Sequence, residues 1–197
     1  MRLAIRFIVV LAMLVTVFVS EAPAANILVN PGFETGALAP WVNGTDFCGG
    51  CVWAVTDTDS HSGTFSAFVN GNRLLEQTFA AIDTALLTEA SLWLRMPGGP
   101  TAIADIQVRY ADDTFDDVLV DVPTTWTQFD VTSLLAAGKE LVAFGVFGCS
   151  GCGGESLTFA DDFVIDTGAR AVPLPATLAL LLLGVGVFGL SLRGRLA

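Results

Sequence analysis

The chain has 197 residues, with 20 acidic against 9 basic side chains and a single histidine, for a formal charge of −11 at pH 7. That balance argues against a nucleic-acid partner, which needs a basic face, and suits an extracytoplasmic protein that repels its own copies and attracts divalent cations. Hydrophobic residues reach 53% only because both ends are apolar, so the middle has to be read without them.

Residues 1–24 follow the order of a secretory signal peptide: Arg2 and Arg6, an apolar run over 7–19 interrupted by Thr16, then the small-x-small site Ala22-Pro23-Ala24. The run is too short to span a bilayer, and Ser20 and Glu21 follow it. Residues 25–170 form one domain-sized stretch of 146 residues, with 19 acidic and 5 basic side chains and a formal charge of −14.

Within that stretch the apolar residues come in short runs broken by Gly, Asn, Asp and Pro, which is strand spacing. Ten strands are predicted, at 27–30, 51–56, 65–70, 74–79, 87–96, 103–110, 115–122, 125–131, 141–147 and 157–165. Turn chemistry separates them at Asn70-Gly71-Asn72, Pro97-Gly98-Gly99-Pro100 and Ala111-Asp112-Asp113-Thr114. Only 131–137 reads as a helical turn. The fold class is therefore all-β, a sandwich.

Residues 171–197 close the chain with Val172-Pro173-Leu174-Pro175-Ala176, an uncharged stretch of 22 residues over 171–192, and the basic end Arg193-Gly194-Arg195. Twenty-odd apolar residues at 1.5 Å each cover a hydrocarbon core of ~30 Å, and the two arginines hold the end on the cytoplasmic side.

Candidate chemistry is sparse. Cys48-Gly49-Gly50-Cys51 and Cys149-Ser150-Gly151-Cys152 hold the four cysteines. Export favours disulfides, local or crossed between the pairs, over a four-cysteine zinc site or a redox-active pair. Asp112, Asp113, Asp116 and Asp117 flank a predicted hairpin and read as turn residues, and His61, without a nucleophile motif beside it, reads the same way. In Ser91-Leu92-Trp93-Leu94-Arg95, alternation puts Trp93 on the face of Ser91 and Arg95. Gln107 and Arg109 of the following strand would extend that face into a polar-aromatic strip for a glycan.

Two resemblances add to this reading. The Val-Pro-Leu-Pro-Ala motif, apolar span and arginine end resemble the PEP-CTERM family of exosortase-sorted tails, in its VPLPA-type variant. The resemblance implies export in a Gram-negative bacterium. The precursor would be tethered to the inner membrane by its C-terminal helix, met by an exosortase-type sorting enzyme, and delivered to the envelope surface or extracellular matrix.

The stretch Leu28-Val29-Asn30-Pro31-Gly32-Phe33-Glu34-Thr35-Gly36 followed by Pro40-Trp41 is similar to the opening of jelly-roll carbohydrate-binding modules of the family 4 and 9 type, in the galactose-binding-like superfamily. His61 to Ser66, Trp126 to Val131 and Ala160 to Ile165 match in order. This resemblance implies a jelly roll whose first strand lies against its last, with both cysteine pairs at one end. It also implies core positions for Trp41 and Trp126, and a structural calcium held by Glu34 with Asp161 or Asp162. The function expected is a non-catalytic surface or matrix protein, alternatively a module recognising an envelope or matrix polysaccharide.

Overall fold

Period-two alternation produces ten strands: β1 (Val42–Asp46), β2 (Ala54–Thr56), β3 (Ser66–Asn70), β4 (Arg73–Asp83), β5 (Glu89–Arg95), β6 (Ala102–Tyr110), β7 (Phe115–Val122), β8 (Thr127–Asp130), β9 (Glu140–Ser150) and β10 (Leu157–Asp166). The computed structural model describes residues 26–98, 102–150 and 157–168, which fall within one unit, Ala24–Gly168. The signal peptide expected at 1–24 and the sorting tail expected at 171–197 lie outside the described residues. Among the described residues no helix is long and apolar enough to cross a membrane.

The strands form two five-stranded antiparallel sheets, a first with the order β1-β4-β9-β6-β7 and a second with the order β2-β3-β10-β5-β8. Residues that alternate inward on both sheets make one core. From the first sheet come Leu75, Ile106, Val108, Phe144 and Val146, and from the second Ala67, Val69, Leu92, Leu94, Ala160 and Ile165. Trp41 lies in that core with its ring 4.4 Å from Phe163, as expected. Burying side chains of this size contributes about 2 kcal/mol each.

Nine of the ten predicted strands exist, 115–122 with the ends expected and the other eight with shifted ends, and two differences are informative. The segment predicted as a strand at 27–30 is not one: Asn30 and Phe33 take left-handed backbone at φ 54° and 59°, and Asn30 organises a turn by donating to Ala37 O and accepting from Thr35 N. The segment is tied down singly instead, by Ile27 N donating to Ile165 O at 3.0 Å. Buried Gln77 adds a clamp whose amide accepts from Val29 N and donates to Val29 O, both at 2.8 Å.

Conversely, Val42–Asp46 reads as a loop in sequence, yet it pairs with β4 as an edge strand. Asn43 and Gly44 are poor strand formers, and tertiary contacts override them. Asn43 exchanges two hydrogen bonds with the Trp53 backbone, and Gly44 packs against Leu74. The helical turn expected at 131–137 is a single 3-10 turn, Thr132–Leu134.

Candidate functional site

The second sheet carries the predicted Trp93 strip, and the structure redraws it. Trp93 does share the outward face with Ser91 and Arg95, opposite buried Leu92 and Leu94. Arg109 does not join them, because β5 and β6 belong to different sheets. Alternation predicts which face a residue takes within a strand. It is silent on which strands are neighbours.

Nor is the strip open. Residues 57–65 lie over it, with His61 stacked on Trp93 at 3.6 Å between ring centroids and 14° between planes. Asp59 pairs with the Arg95 guanidinium and accepts from Trp126 Nε1 at 3.1 Å. Trp126, expected in the core, is half-buried on this outer face, 6.5 Å from the ring of Phe159. His61 is thus more than a turn residue, which no local signal in the sequence reveals.

Carboxylates hold that covering segment in place. Glu34 accepts from Thr64 N and Phe65 N, each at 3.0 Å. Asp161, fully buried, accepts from His61 N, Ser62 N and Asp162 N. Asp162 bonds Ser62 Oγ at 2.9 Å and faces His61 Nδ1 at 2.7 Å. Burial, and then the charge of Asp162, push the Asp161 carboxyl up to about 7.

The three carboxylates assigned to calcium therefore surround one turn. A Cβ on Gly32 would meet Asp162 Oδ1 at 3.1 Å and Asp161 Oδ1 at 3.4 Å, with Glu34 Cγ at 3.9 Å. As arranged, however, their oxygens bind N–H and O–H groups. Among the described residues, the one group of three potential ligands within 4.8 Å of one another is Asp46, Cys48 and Cys51.

Cys48 and Cys51 are bonded to each other as a disulfide, so the local pairing is the one formed and these sulfurs offer no thiolate. Asp46 accepts from the N–H groups of Cys48, Gly49 and Gly50, which holds its carboxyl below the usual range. The side chain of Cys149 and all of Cys152 lie outside what is described, as do the motif Val172-Pro173-Leu174-Pro175-Ala176 and Arg193 and Arg195.

On the outward face of the first sheet Ala143, Phe147 and Leu74 along the centre are buried while Arg109, Gln107, Asp105 and Glu76 are part-exposed, and register maps that face row by row. In one row Phe115 of β7 faces Arg109, then Ala143 and Thr78. The next holds Asp117, Gln107, Gly145, Glu76 and Val42. The third holds Leu119, Asp105, Phe147 and Leu74. Small residues along β9 let Arg109 reach across to Glu76 at 3.4 Å, while Gln107 donates to Asp117 at 2.8 Å. Phe115 is 57% and Leu119 66% exposed on the outer strand, and on the opposite flank Phe47 is 69% exposed with its ring 5.5 Å from that of Phe147. Flat apolar surface interleaved with hydrogen-bonding side chains is what sugar rings bind, through C–H faces and hydroxyls respectively. Asp105, between Leu119 and Phe147, has a buried Oδ1 without a hydrogen-bond partner.

The chain matches no family model and no curated protein in sequence. Its fold matches solved structures. A CBM61 module determined with β-1,4-galactotriose aligns at TM-score 0.52 and 19% identity, covering 72% of this chain and 97% of that one. The CBM22-1 xylan-binding domain of Paenibacillus barcinonensis Xyn10C aligns at 0.50 and 18%, covering 76% and 99%. A family 16 carbohydrate-binding module aligns at 0.52 and 17%, covering 71% and 99%. The chain thus shares its β-sandwich fold with these carbohydrate-binding modules.

Proposed function

We propose that this chain is a non-catalytic, exported carbohydrate-binding protein that grips an envelope or matrix polysaccharide on the outward face of its first sheet. The observation that carries the reading is the checkerboard of exposed Phe115, Leu119 and Phe47 with Gln107, Asp105, Asp117 and the Arg109–Glu76 pair. Similarity of fold to modules solved with or named for glycans supports it. The signal peptide and the PEP-CTERM-like tail belong to the same proposal: export, a membrane-tethered precursor, an exosortase-type sorting partner, and delivery to the cell surface or matrix.

Affinity electrophoresis of the full chain in gels containing matrix polysaccharides tests the site. Phe115→Ala and Gln107→Ala are expected to abolish retardation, a loss of about 2 kcal/mol or more for a central contact. Trp93→Ala, beneath His61, leaves it in place. The opposite pattern would move the site to the second sheet, and retardation by no glycan would remove the function.

A structural calcium at Glu34, Asp161 and Asp162 is the second part of the proposal, supported by two adjacent carboxylates, one of them fully buried, and by hard oxygen donors. Calcium would neutralise Asp161 and Asp162 and stiffen the segment over Trp93. Millimolar calcium added to EDTA-treated protein should raise Tm by several degrees. An unchanged melt would leave these carboxylates with hydrogen bonding alone.

A further inference from the structure

We infer that the polysaccharide held on the first sheet carries protonated amino groups, as a partially N-deacetylated hexosamine polymer does. The inference rests on the proposed carbohydrate site and names its substrate class. Four carboxylates face outward there: Asp105 on β6, Asp117 and Asp121 on β7, and Glu76 on β4. Among the described residues one cation, Arg109, faces with them, and Glu76 engages it at 3.4 Å. A polyuronate or sulfated glycan would bring negative charge against a negative face, and the −14 charge of residues 25–170 would deepen the repulsion.

Asp105 makes the preference local. Its row neighbours are Leu119 and Phe147, so apolar surface stands on both sides of the carboxyl. Asp117, on the same face, repels it, and Oδ1 is buried with no donor. Burial and that repulsion push Asp105 up to about 6. An ammonium group on a sugar whose C–H face lies on exposed Leu119 would bring the opposite charge to the Asp105 carboxyl, which Phe147, buried against Phe47, walls on its other side. Such a charge-assisted bond is stronger than any a hydroxyl can offer the same carboxyl. Protonating Asp105 removes it, so binding is expected to weaken as pH falls through 6.

Calorimetric titration of the full chain with hexaglucosamine, hexa-N-acetylglucosamine, a neutral β-1,4-galactan and polygalacturonate, at 0.15 M and 0.5 M salt, tests this. The amino hexamer should bind at least tenfold tighter than its N-acetylated form, and polygalacturonate should not bind. Asp105→Asn and Asp117→Asn should each cost about tenfold, while Asp57→Asn, the same charge change at an exposed position beyond the second sheet's edge strand, should cost nothing. Asp105→Asn should melt no lower than the parent, since it removes a partly desolvated charge without breaking a hydrogen bond.

Equal weakening by Asp57→Asn would reduce the effect to overall charge and overturn the inference. Equal or tighter binding of the acetylated or neutral glycan, lost on Phe115→Ala, would overturn it while leaving the carbohydrate site standing. Binding of no glycan at all would overturn both.

Discussion

Replacing Gly145 with alanine is expected to lower unfolding free energy by about 3 kcal/mol, the upper range for overpacking, and Tm by roughly 10 °C. Gly145 sits on the central strand β9, between Glu76 and Gln107. A Cβ there would overlap the Leu75 carbonyl oxygen and stand 2.9 Å from Glu76 Cβ. Those are backbone and stem atoms, so no rotamer change relieves the clash, and β4 and β9 must part. Thermal melts followed by circular dichroism check the stability, and the same variant should lose glycan retardation, because the row that seats Arg109 against Glu76 opens with it. A variant as stable as the parent would mean the two strands are not this close.

The second large effect concerns Asp161. Asp161→Ala leaves the N–H groups of His61, Ser62 and Asp162 without their acceptor, at about 1 kcal/mol or more each. The domain should lose roughly 3 kcal/mol, and residues 57–65 should become the first site of proteolysis. The pH dependence has a definite sign. With the folded carboxyl at about 7 against an ordinary 3.8, the folded state keeps a proton that the unfolded state has released between those values. Stability in calcium-free buffer therefore falls as pH rises from 4 to 7, by up to ~4 kcal/mol. Asp105, raised to about 6 but half-exposed, adds in the same direction. Asp161→Asn should flatten that slope, and urea titrations at pH 5 and pH 8 would show it. A slope of opposite sign would mean that Asp161 is ionised in the folded protein.

Most of the strand inventory was legible because half-buried strands write their faces into alternation, as in β6, where Ala104, Ile106 and Val108 are buried and Asp105, Gln107 and Arg109 are not. The hairpin at Asp112-Asp113 was legible from turn chemistry alone: Asp113 takes φ 62° and Asp112 accepts from Thr114 N. What local pattern cannot carry is partnership between distant segments. The crossover after β5 puts Arg109 on a different sheet from Trp93, and His61 reaches Trp93 from another part of the chain. Edge strand β1 went unread because its Asn43 and Gly44 are chosen for contacts with Trp53 and Leu74 that lie outside it in sequence. The proposed glycan face stayed hidden for a related reason: Phe115, Leu119 and Phe47 carry no signal singly, and only strand register, with the packing of Phe47 on Phe147, places them on one face with Asp105 and Gly145.

The hydrogen bond from Ile27 N to Ile165 O, reinforced by Asn26 bonding Phe163 O and Ile165 N, makes the start and finish of the sandwich neighbours. A circular permutant follows from that closeness: a short linker from Gly168 to Asn26, with fresh ends cut in the exposed turn at 111–114, should preserve both sheets. Peptide order is then a dispensable property of this β-sandwich, while the adjacency of its two extremities is not.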